Sequence, residues 1–316
     1  MPERRVAEAQ GARRGDAAPT GWYTHGWNRD LSWRLIHAVI PKVPRLLRPP
    51  LHLATTLLCF AAMPRERLAA RRNLERVTGR RGIGSRLLSF RLFYNFSKFM
   101  VGYTDLAPFR PEVIERRVEG GEPARGALQA LLAGRKGLVI VTLHLGNWEV
   151  GLRLLARLGA PVNVVLLKED AAGSARFADA SRSDPAVRVI EAGGSAWNGL
   201  DLLLALRRGE IVAIQGDRPF GPFSRRATLF GAPLDLPAGA LALAQASGAP
   251  LALVCCVIRG HDRYRLLVDG PLRVGPGEAA METAFLDLTG RIEKAIAQTP
   301  TQWFNFYDVW RTGDGS

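Results

Sequence analysis

Residues 137–149 read GLVIVTLHLGNWE, and the order of residue types in this stretch decides the fold. The first seven residues are an apolar run rich in β-branched side chains, which is typical of a buried strand. His144 follows this run directly. The apolar spacing beyond it predicts a helix over residues 147–158. The histidine is therefore expected at the carboxyl end of a strand, where a helix begins.

The same alternation of strands and helices continues towards the C-terminus. Further strands are predicted at 162–167, 187–190, 211–214 and 251–258, and further helices at 173–183, 198–208, 239–247 and 279–298. Residues 263–268 should pair antiparallel with the strand before them, because only four residues separate the two. We therefore predict an α/β fold with a mostly parallel central sheet covered by helices. Reactive groups of such sheets lie on the loops beyond the carboxyl ends of the strands.

Composition and charge narrow the classes of protein and partner. The chain has 316 residues, of which 47% are hydrophobic, so it is not mostly disordered, collagenous or a coiled coil. Its net charge is +14, and residues 1–82 alone carry 16 basic against 6 acidic side chains. This excess favours an anionic membrane surface, an acidic carrier protein or nucleic acid as partner. No zinc-finger spacing or RNA-binding aromatic motif is present, so we expect no nucleic acid.

The N-terminal part divides into two predicted segments. Residues 1–20 are rich in Arg, Gly and Ala without an apolar core, and we expect them to form a disordered basic leader. Residues 21–82 combine Trp and Arg with short apolar stretches, which favours helices associated with a membrane surface. A helical hairpin packed on the core fits the same pattern. The apolar stretch at 49–64 is shorter than the ~20 residues of a membrane span.

The motif with the clearest chemistry is His144 followed five residues later by Glu149. A sharp bend at Gly146 would bring the Glu149 carboxylate onto Nδ1 of His144. The other ring nitrogen would then face the cleft as a general base, as in a Ser-His-Asp triad. A structural or surface pair is the alternative interpretation, and the position at a strand end favours the catalytic one.

The spacing His-x4-Glu, in the context HLGNWE, resembles the HX4D/E motif of the lysophospholipid and lipid A late acyltransferase superfamily. Further blocks resemble the lipid A branch in the same order: QGDRPFG at 215–221, FGAP at 230–233, LPAG at 236–239 and PTQWFNFY at 300–307. The resemblance covers residues 84–311. It implies a glycerolipid acyltransferase-like fold and an acyltransferase domain over residues 83–316.

The resemblance also implies an activity. A fatty acyl chain would pass from an acyl-carrier-protein or acyl-CoA thioester to a hydroxyl of a membrane lipid or glycolipid, such as a lipid A precursor. The enzyme would bind the cytoplasmic face of the inner membrane, peripherally or by shallow insertion. The residues agree with a transfer that forms no acyl-enzyme, because the chain has no GxSxG motif and Cys255 and Cys256 lie in an apolar strand. A histidine base without a protein nucleophile fits direct attack by the acceptor hydroxyl.

Four further residues are candidates for substrate binding. Asp217 and Arg218 follow the strand 211–214, so they should share a rim with His144. Arg218 would bind a lipid phosphate or the oxyanion, and Asp217 would orient Arg218 or an acceptor hydroxyl. The alternative is that the two form a structural pair. Arg182 looks like the family arginine that comes some forty residues after the histidine, although Arg176 and a solvated surface charge are alternatives. Asn147 would line the acyl groove.

Other sites and functions remain as expectations or alternatives. His25, His37, His52 and His261 lack metal-ligand spacing, and no glycine-rich nucleotide loop is present, so we expect no metal and no cofactor. The adjacent arginines at 225–226, in a predicted loop over 220–227, either grip phosphate or are solvated. Alternative functions are acylation of a phosphatidylinositol mannoside or polyene-type lipid, thioester hydrolysis, and binding of lipid or nucleic acid without catalysis.

Overall fold

The computed structural model describes residues 42–105, 115–167, 185–192, 197–219 and 223–311. The α-helices in this part of the chain are α1 (Arg48–Ala62), α2 (Pro64–Thr78), α3 (Ile83–Asp105), α4 (Gly121–Leu132), α5 (Trp148–Leu155), α6 (Trp197–Arg207), α7 (Gly239–Ser247) and α8 (Glu278–Gln298). The strands are β1 (Val118–Glu119), β2 (Leu138–Thr142), β3 (Val162–Leu167), β4 (Val187–Ala192), β5 (Ile211–Gln215), β6 (Ser224–Leu229), β7 (Ala232–Pro237), β8 (Leu251–Arg259) and β9 (Arg263–Leu272). Short 3-10 helices cover Arg45–Leu47 and Pro300–Gln302.

Seven strands form one sheet in the order β1-β9-β8-β2-β5-β3-β4. Strands β8, β2, β5, β3 and β4 run parallel, and β9 returns antiparallel to β8. The mostly parallel α/β sheet predicted from the sequence is thus confirmed, and so is the antiparallel strand after β8.

Both faces of the sheet are covered, and the alternation of side chains along β8 shows how. Leu253 and Cys255 point into a core that includes residues of α6, α7 and α8. Ala252 and Val254 belong to the opposite core, which includes Leu128 of α4 and residues of α5. Because successive side chains of a strand point to opposite faces, a continuous apolar run serves both cores.

The N-terminal helices α2 and α3 pack against the C-terminal tail in a third core that includes Leu74, Phe93 and Phe306. Two buried amides add polar links, since Asn95 donates to the Thr301 carbonyl at 3.1 Å and Asn73 to the Tyr307 carbonyl at 2.8 Å. The predicted boundary between residues 82 and 83 falls in the turn between α2 and α3. No helix in the described part of the chain has both the length and the apolar character needed to cross a bilayer.

Three strands of the structure, β1, β6 and β7, are not among those predicted from the sequence. Strand β1 is only two residues long, and β6 and β7 form an antiparallel hairpin where the proline-rich sequence suggested a loop over 220–227. The hairpin has one buried face, which carries Ala227, Leu229, Leu234 and Leu236. The helix predicted over 173–183 and all of residues 1–41, including the expected leader, lie outside the described residues.

Candidate active site

His144 lies beside Asp217 because of the register between two parallel strands. Thr142, the last residue of β2, is paired with Gln215, the last residue of β5. His144 and Asp217 each follow two residues later, on neighbouring chains at the same edge of the sheet. Nδ1 of His144 lies 2.9 Å from Oδ1 of Asp217, and the backbone N–H of His144 donates to both carboxylate oxygens at 3.1 and 3.2 Å.

The Asp217 carboxylate is buried but well partnered. Only 1% of the residue is exposed, and the indole Nε1 of Trp303 donates to Oδ2 at 2.8 Å. Burial acts to raise the pKa of Asp217, but the interactions with His144, Arg218 and Trp303 outweigh it and lower that pKa to about 2. Because the carboxylate is ionised at neutral pH, Nδ1 of His144 must be the protonated nitrogen. Nε2 is then the ring nitrogen that can accept a proton.

The loop after His144 is fixed by close backbone contacts. Gly146 has φ +70°, and a Cβ built on it would lie 2.8 Å from the Cα of Val257, so only glycine fits this bend. The C-terminal tail pairs with the loop on one side, because Phe304 N–H donates to the His144 carbonyl at 2.8 Å and Gly146 N–H to the Gln302 carbonyl at 2.9 Å. The backbone of His144 is therefore held on both sides, through its N–H to Asp217 and through its carbonyl to Phe304.

Asn147 has a different position from the expected one in an acyl groove. It is wholly buried, and its Oδ1 accepts a hydrogen bond at 3.2 Å from the Val150 N–H, which caps the N-terminus of α5. Its backbone N–H donates to the Cys256 carbonyl. Asn147 thus sets where α5 begins relative to strand β8.

Glu149 does not form the expected contact with Nδ1 of His144, because Asp217 occupies that nitrogen. The bend at Gly146 is present, but the Asn147 cap places Glu149 in the first turn of α5, where it is 95% buried. Burial raises the pKa of the Glu149 carboxyl to about 8, although Arg153 one turn later opposes the shift. At neutral pH this carboxyl is therefore mainly protonated, and it can donate a hydrogen bond.

Arg218 binds the C-terminal tail. Its Nε donates to Oδ1 of Asn305 at 2.8 Å and its Nη2 to the Phe304 carbonyl at 2.9 Å. The guanidinium also lies over the ring of Tyr307, 5.7 Å from the centroid. Arg218 therefore holds the segment that carries Trp303 next to Asp217.

The other basic candidates lie away from this pair or beyond the described part of the chain. Arg225 lies on β6 and binds Glu278 and Glu282, and Arg226 binds Asp235 across the hairpin. Arg182 and its alternative Arg176 are outside the described residues, so Arg182 stays a prediction. Among the residues that the structure describes, no three His, Cys, Asp or Glu side chains converge as metal ligands would.

An apolar cavity reaches the same edge of the sheet. We call it the first cavity; it lies under α5, between the helix and strands β2, β3, β5 and β8. Its polar wall residues include Thr142 and Gln215, which precede His144 and Asp217 by two residues. The rest of the wall is mainly aliphatic, with Ile140 and Val164 on the strands. The non-atom space between the walls is about 450 Å³, including space that is open to solvent.

The contact of Trp303 with Asp217 is the feature of the site that the sequence does not predict. Phe304 and Phe306 of the same tail belong to the third core. Trp303 belongs instead to the core that includes residues of α6, α7 and α8, and its indole N–H reaches Asp217 from there. The sequence shows a block of polar and aromatic residues at 300–307. It does not show that this block lies next to residue 217 in the folded protein.

Comparison with known proteins places this arrangement in a family. Two curated relatives, both phosphatidylinositol mannoside acyltransferases from strains of Mycobacterium tuberculosis, are 27% identical to the chain over 185 residues. The match covers 58% of this chain and 57% of each relative, so it spans little more than half of their length. Residues 31–312, which include all of the His144–Asp217 site and the tail that supports it, match the family described as bacterial lipid A biosynthesis acyltransferase. The chain belongs to that family.

Proposed function

We propose that the protein is an O-acyltransferase that transfers a fatty acyl chain from an acyl-carrier-protein or CoA thioester to a hydroxyl of a membrane glycolipid. The observation that carries this proposal is the 2.9 Å contact between Nδ1 of His144 and Oδ1 of the ionised Asp217. It fixes the imidazole with Nε2 as the basic nitrogen, at the edge of the sheet that the apolar first cavity reaches. A general base beside the apolar first cavity suits an acceptor whose hydroxyl attacks the thioester directly.

The reaction follows from these positions. Nε2 of His144 takes the proton of the acceptor hydroxyl as its oxygen attacks the thioester carbonyl carbon. The tetrahedral intermediate then breaks its C–S bond, and the imidazolium returns the proton to the departing thiolate. Asp217 stabilises the imidazolium while the proton is held there. General base help of this kind contributes about 10²–10⁴-fold to a rate.

The cysteines do not compete as nucleophiles. Cys255 and Cys256 are both 99% buried, and burial raises the pKa of both thiols, so they stay protonated at neutral pH. This supports direct transfer without an acyl-enzyme.

We assign roles to the remaining site residues within the same proposal. Arg218 positions the tail that carries Trp303. Glu149, kept protonated by its buried surroundings, is a neutral acid in the first turn of α5, and Asn147 sets the start of that helix. The acceptor is a glycolipid, since the family is named for lipid A and the two relatives for phosphatidylinositol mannoside; a lipid A precursor and a phosphatidylinositol mannoside-type lipid are the two candidates.

The surface of the N-terminal helices supports attachment to a membrane. Leu46 is 88% exposed, and Leu57 and Leu58 of α1 are more than half exposed, as are Ile83 and Leu87 of α3. Residues 1–82 also carry a net charge of +10. Exposed leucines beside arginines favour shallow binding to an anionic bilayer, and we propose the cytoplasmic face of the inner membrane.

The test is a transfer assay with acyl thioesters and each candidate glycolipid in detergent, with products separated by mass. We expect an acylated glycolipid from the wild type, and at least a 10²-fold lower kcat/KM for His144→Ala and for Asp217→Asn. Asp235→Asn, on the surface of β7, is the matched control and should retain wild-type turnover. Near-normal transfer by folded His144→Ala would contradict the proposal. Release of free fatty acid at the same rate with and without acceptor would instead show a thioesterase.

A further inference from the structure

A second cavity adjoins the first cavity on the same face of the sheet. It lies between α4, α5 and strands β8 and β9, with Leu128, Leu158 and Leu266 in its wall. Because β8 stands between β9 and β2 in the sheet, the two cavities lie on either side of β8. The non-atom space of the second cavity is about 580 Å³, including space that is open to solvent. The ion pair between Arg125 and Glu122, with an N–O distance of 2.6 Å, lies at its rim.

Three residues line both cavities: Gly151, Leu155 and Val254. They form the partition between them. At Gly151 the helix rests directly on the strand, because a Cβ on that residue would lie 3.2 Å from the Cβ of Cys256. One turn later Leu155, the last residue of α5, lines both cavities together with Val254 and is 94% buried. Leu155 is thus the largest side chain of the partition.

We infer that Leu155 sets the length of the acyl chain that the enzyme transfers, by closing the first cavity against the second. This inference rests on the proposed function. An acyl chain whose thioester carbonyl lies near His144 would enter the first cavity at the end marked by Thr142 and Gln215. It would run under α5 along an aliphatic wall, and its terminal methyl group would meet the isobutyl group of Leu155. A longer chain would need the space beyond, which the partition denies.

The apolar lining of the second cavity supports this inference. Its inner wall is aliphatic, with Val118, Leu128 and Leu154 beside the partition, and its charged residues include Glu115, Glu122 and Arg125. A hydrocarbon chain that passed Leu155 would therefore find further apolar surface. Removing the Leu155 side chain should join the two spaces.

The experiment measures kcat/KM of the full-length protein for saturated acyl thioesters of increasing length, with one glycolipid acceptor. The ratio to compare is kcat/KM for the longest chain divided by kcat/KM for the chain that the wild type prefers. We expect Leu155→Ala to raise this ratio by about tenfold or more, because one methylene in an apolar pocket carries discrimination of that size. Leu155→Val, which removes a smaller part of the side chain, should shift the preference in the same direction by a smaller factor. This variant keeps the test available if the alanine variant does not fold.

Two leucines of the same segment are matched controls. Leu158 lines only the second cavity and Leu152 only the first. Leu158→Ala should keep the wild-type length profile, and Leu152→Ala should weaken transfer without favouring longer chains. An unchanged profile in folded Leu155→Ala and Leu155→Val, or the same shift in Leu158→Ala, would overturn the inference and leave the proposed function intact. Absence of acyl transfer by the wild type with every thioester would overturn both.

Discussion

Two carboxyl groups within the same site show opposite pKa shifts, and their partners explain the difference. Asp217 and Glu149 are both buried, and burial raises the pKa of any carboxyl. Asp217 has an imidazole, an indole N–H and a backbone N–H around it, and its pKa is lowered to about 2. Glu149 has Arg153 as its opposing charge, and its pKa is raised to about 8. The structure thus separates an anion that orients His144 from a neutral acid.

The raised pKa of Glu149 predicts a dependence of stability on pH. The unfolded chain releases this proton near pH 4.5 and the folded chain only near pH 8, so the folded state binds more protons in between. The free energy of unfolding should therefore fall as the pH rises through this window, by up to about 1.4 kcal/mol per pH unit. Glu149→Gln should remove this pH-dependent component. The free energy of unfolding of the variant should therefore rise relative to that of the wild type as the pH increases.

Urea unfolding of both proteins, followed by circular dichroism across this pH window, measures the effect. Glu282→Gln, which changes a half-exposed glutamate on α8, is the control and should follow the wild-type profile. Parallel profiles for Glu149→Gln and the wild type would show that Glu149 is ionised in the folded protein.

The sequence predicted His144 and Asp217 on one rim, because each follows an apolar strand. It did not predict that they pair, since this depends on β2 and β5 being neighbours in register. Strand order is set by packing of distant segments and leaves no local trace in the sequence. Glu149 looked like the partner because it is near in sequence, but the Asn147 cap directs it into the first turn of α5.

At the scale of elements, strands with continuous apolar runs were the most predictable. β3 and α7 have the predicted bounds, and β2, β5 and β8 differ by one residue or two. The hairpin β6–β7 was missed because its prolines are typical of loops. Those prolines are tolerated because the hairpin is a separate two-stranded sheet, in which both strands are edges.

The bend between β2 and α5 gives a prediction at this scale. Gly146→Ala should destabilise the protein more than Gly248→Ala, although both glycines have φ near +70°. A Cβ at Gly146 meets the backbone of Cys256 and Val257, whereas one at Gly248 meets nothing within 4 Å. We expect Gly248→Ala to cost the ~1–2 kcal/mol of a left-handed alanine and Gly146→Ala clearly more. Equal losses in free energy of unfolding, measured by urea titration, would show that the loop relaxes at no cost.

At the scale of the whole molecule, the three features on which the proposed function rests lie in different parts of the fold. The carboxyl edge of the sheet carries His144 and Asp217, the face under α5 holds the first cavity, and α1 presents exposed leucines. The tail that supports Asp217 through Trp303 is itself held by Asn73 and Asn95 of α2 and α3. Helix α2, which belongs to the basic N-terminal region, is therefore also part of the support of the site.

This arrangement predicts that membrane binding can be weakened without loss of catalysis in detergent. Leu57→Ser with Leu58→Ser should lower the affinity for anionic lipid vesicles about tenfold or more, because burying a leucine contributes up to about 1.5–3 kcal/mol. Leu200→Ser with Leu204→Ser, which changes two exposed leucines of α6, is the matched control and should bind like the wild type. Sedimentation with vesicles measures both, and higher salt should weaken wild-type binding, since part of it is electrostatic. Equal sedimentation of the α1 variant and the wild type would show that α1 is not the surface that enters the bilayer.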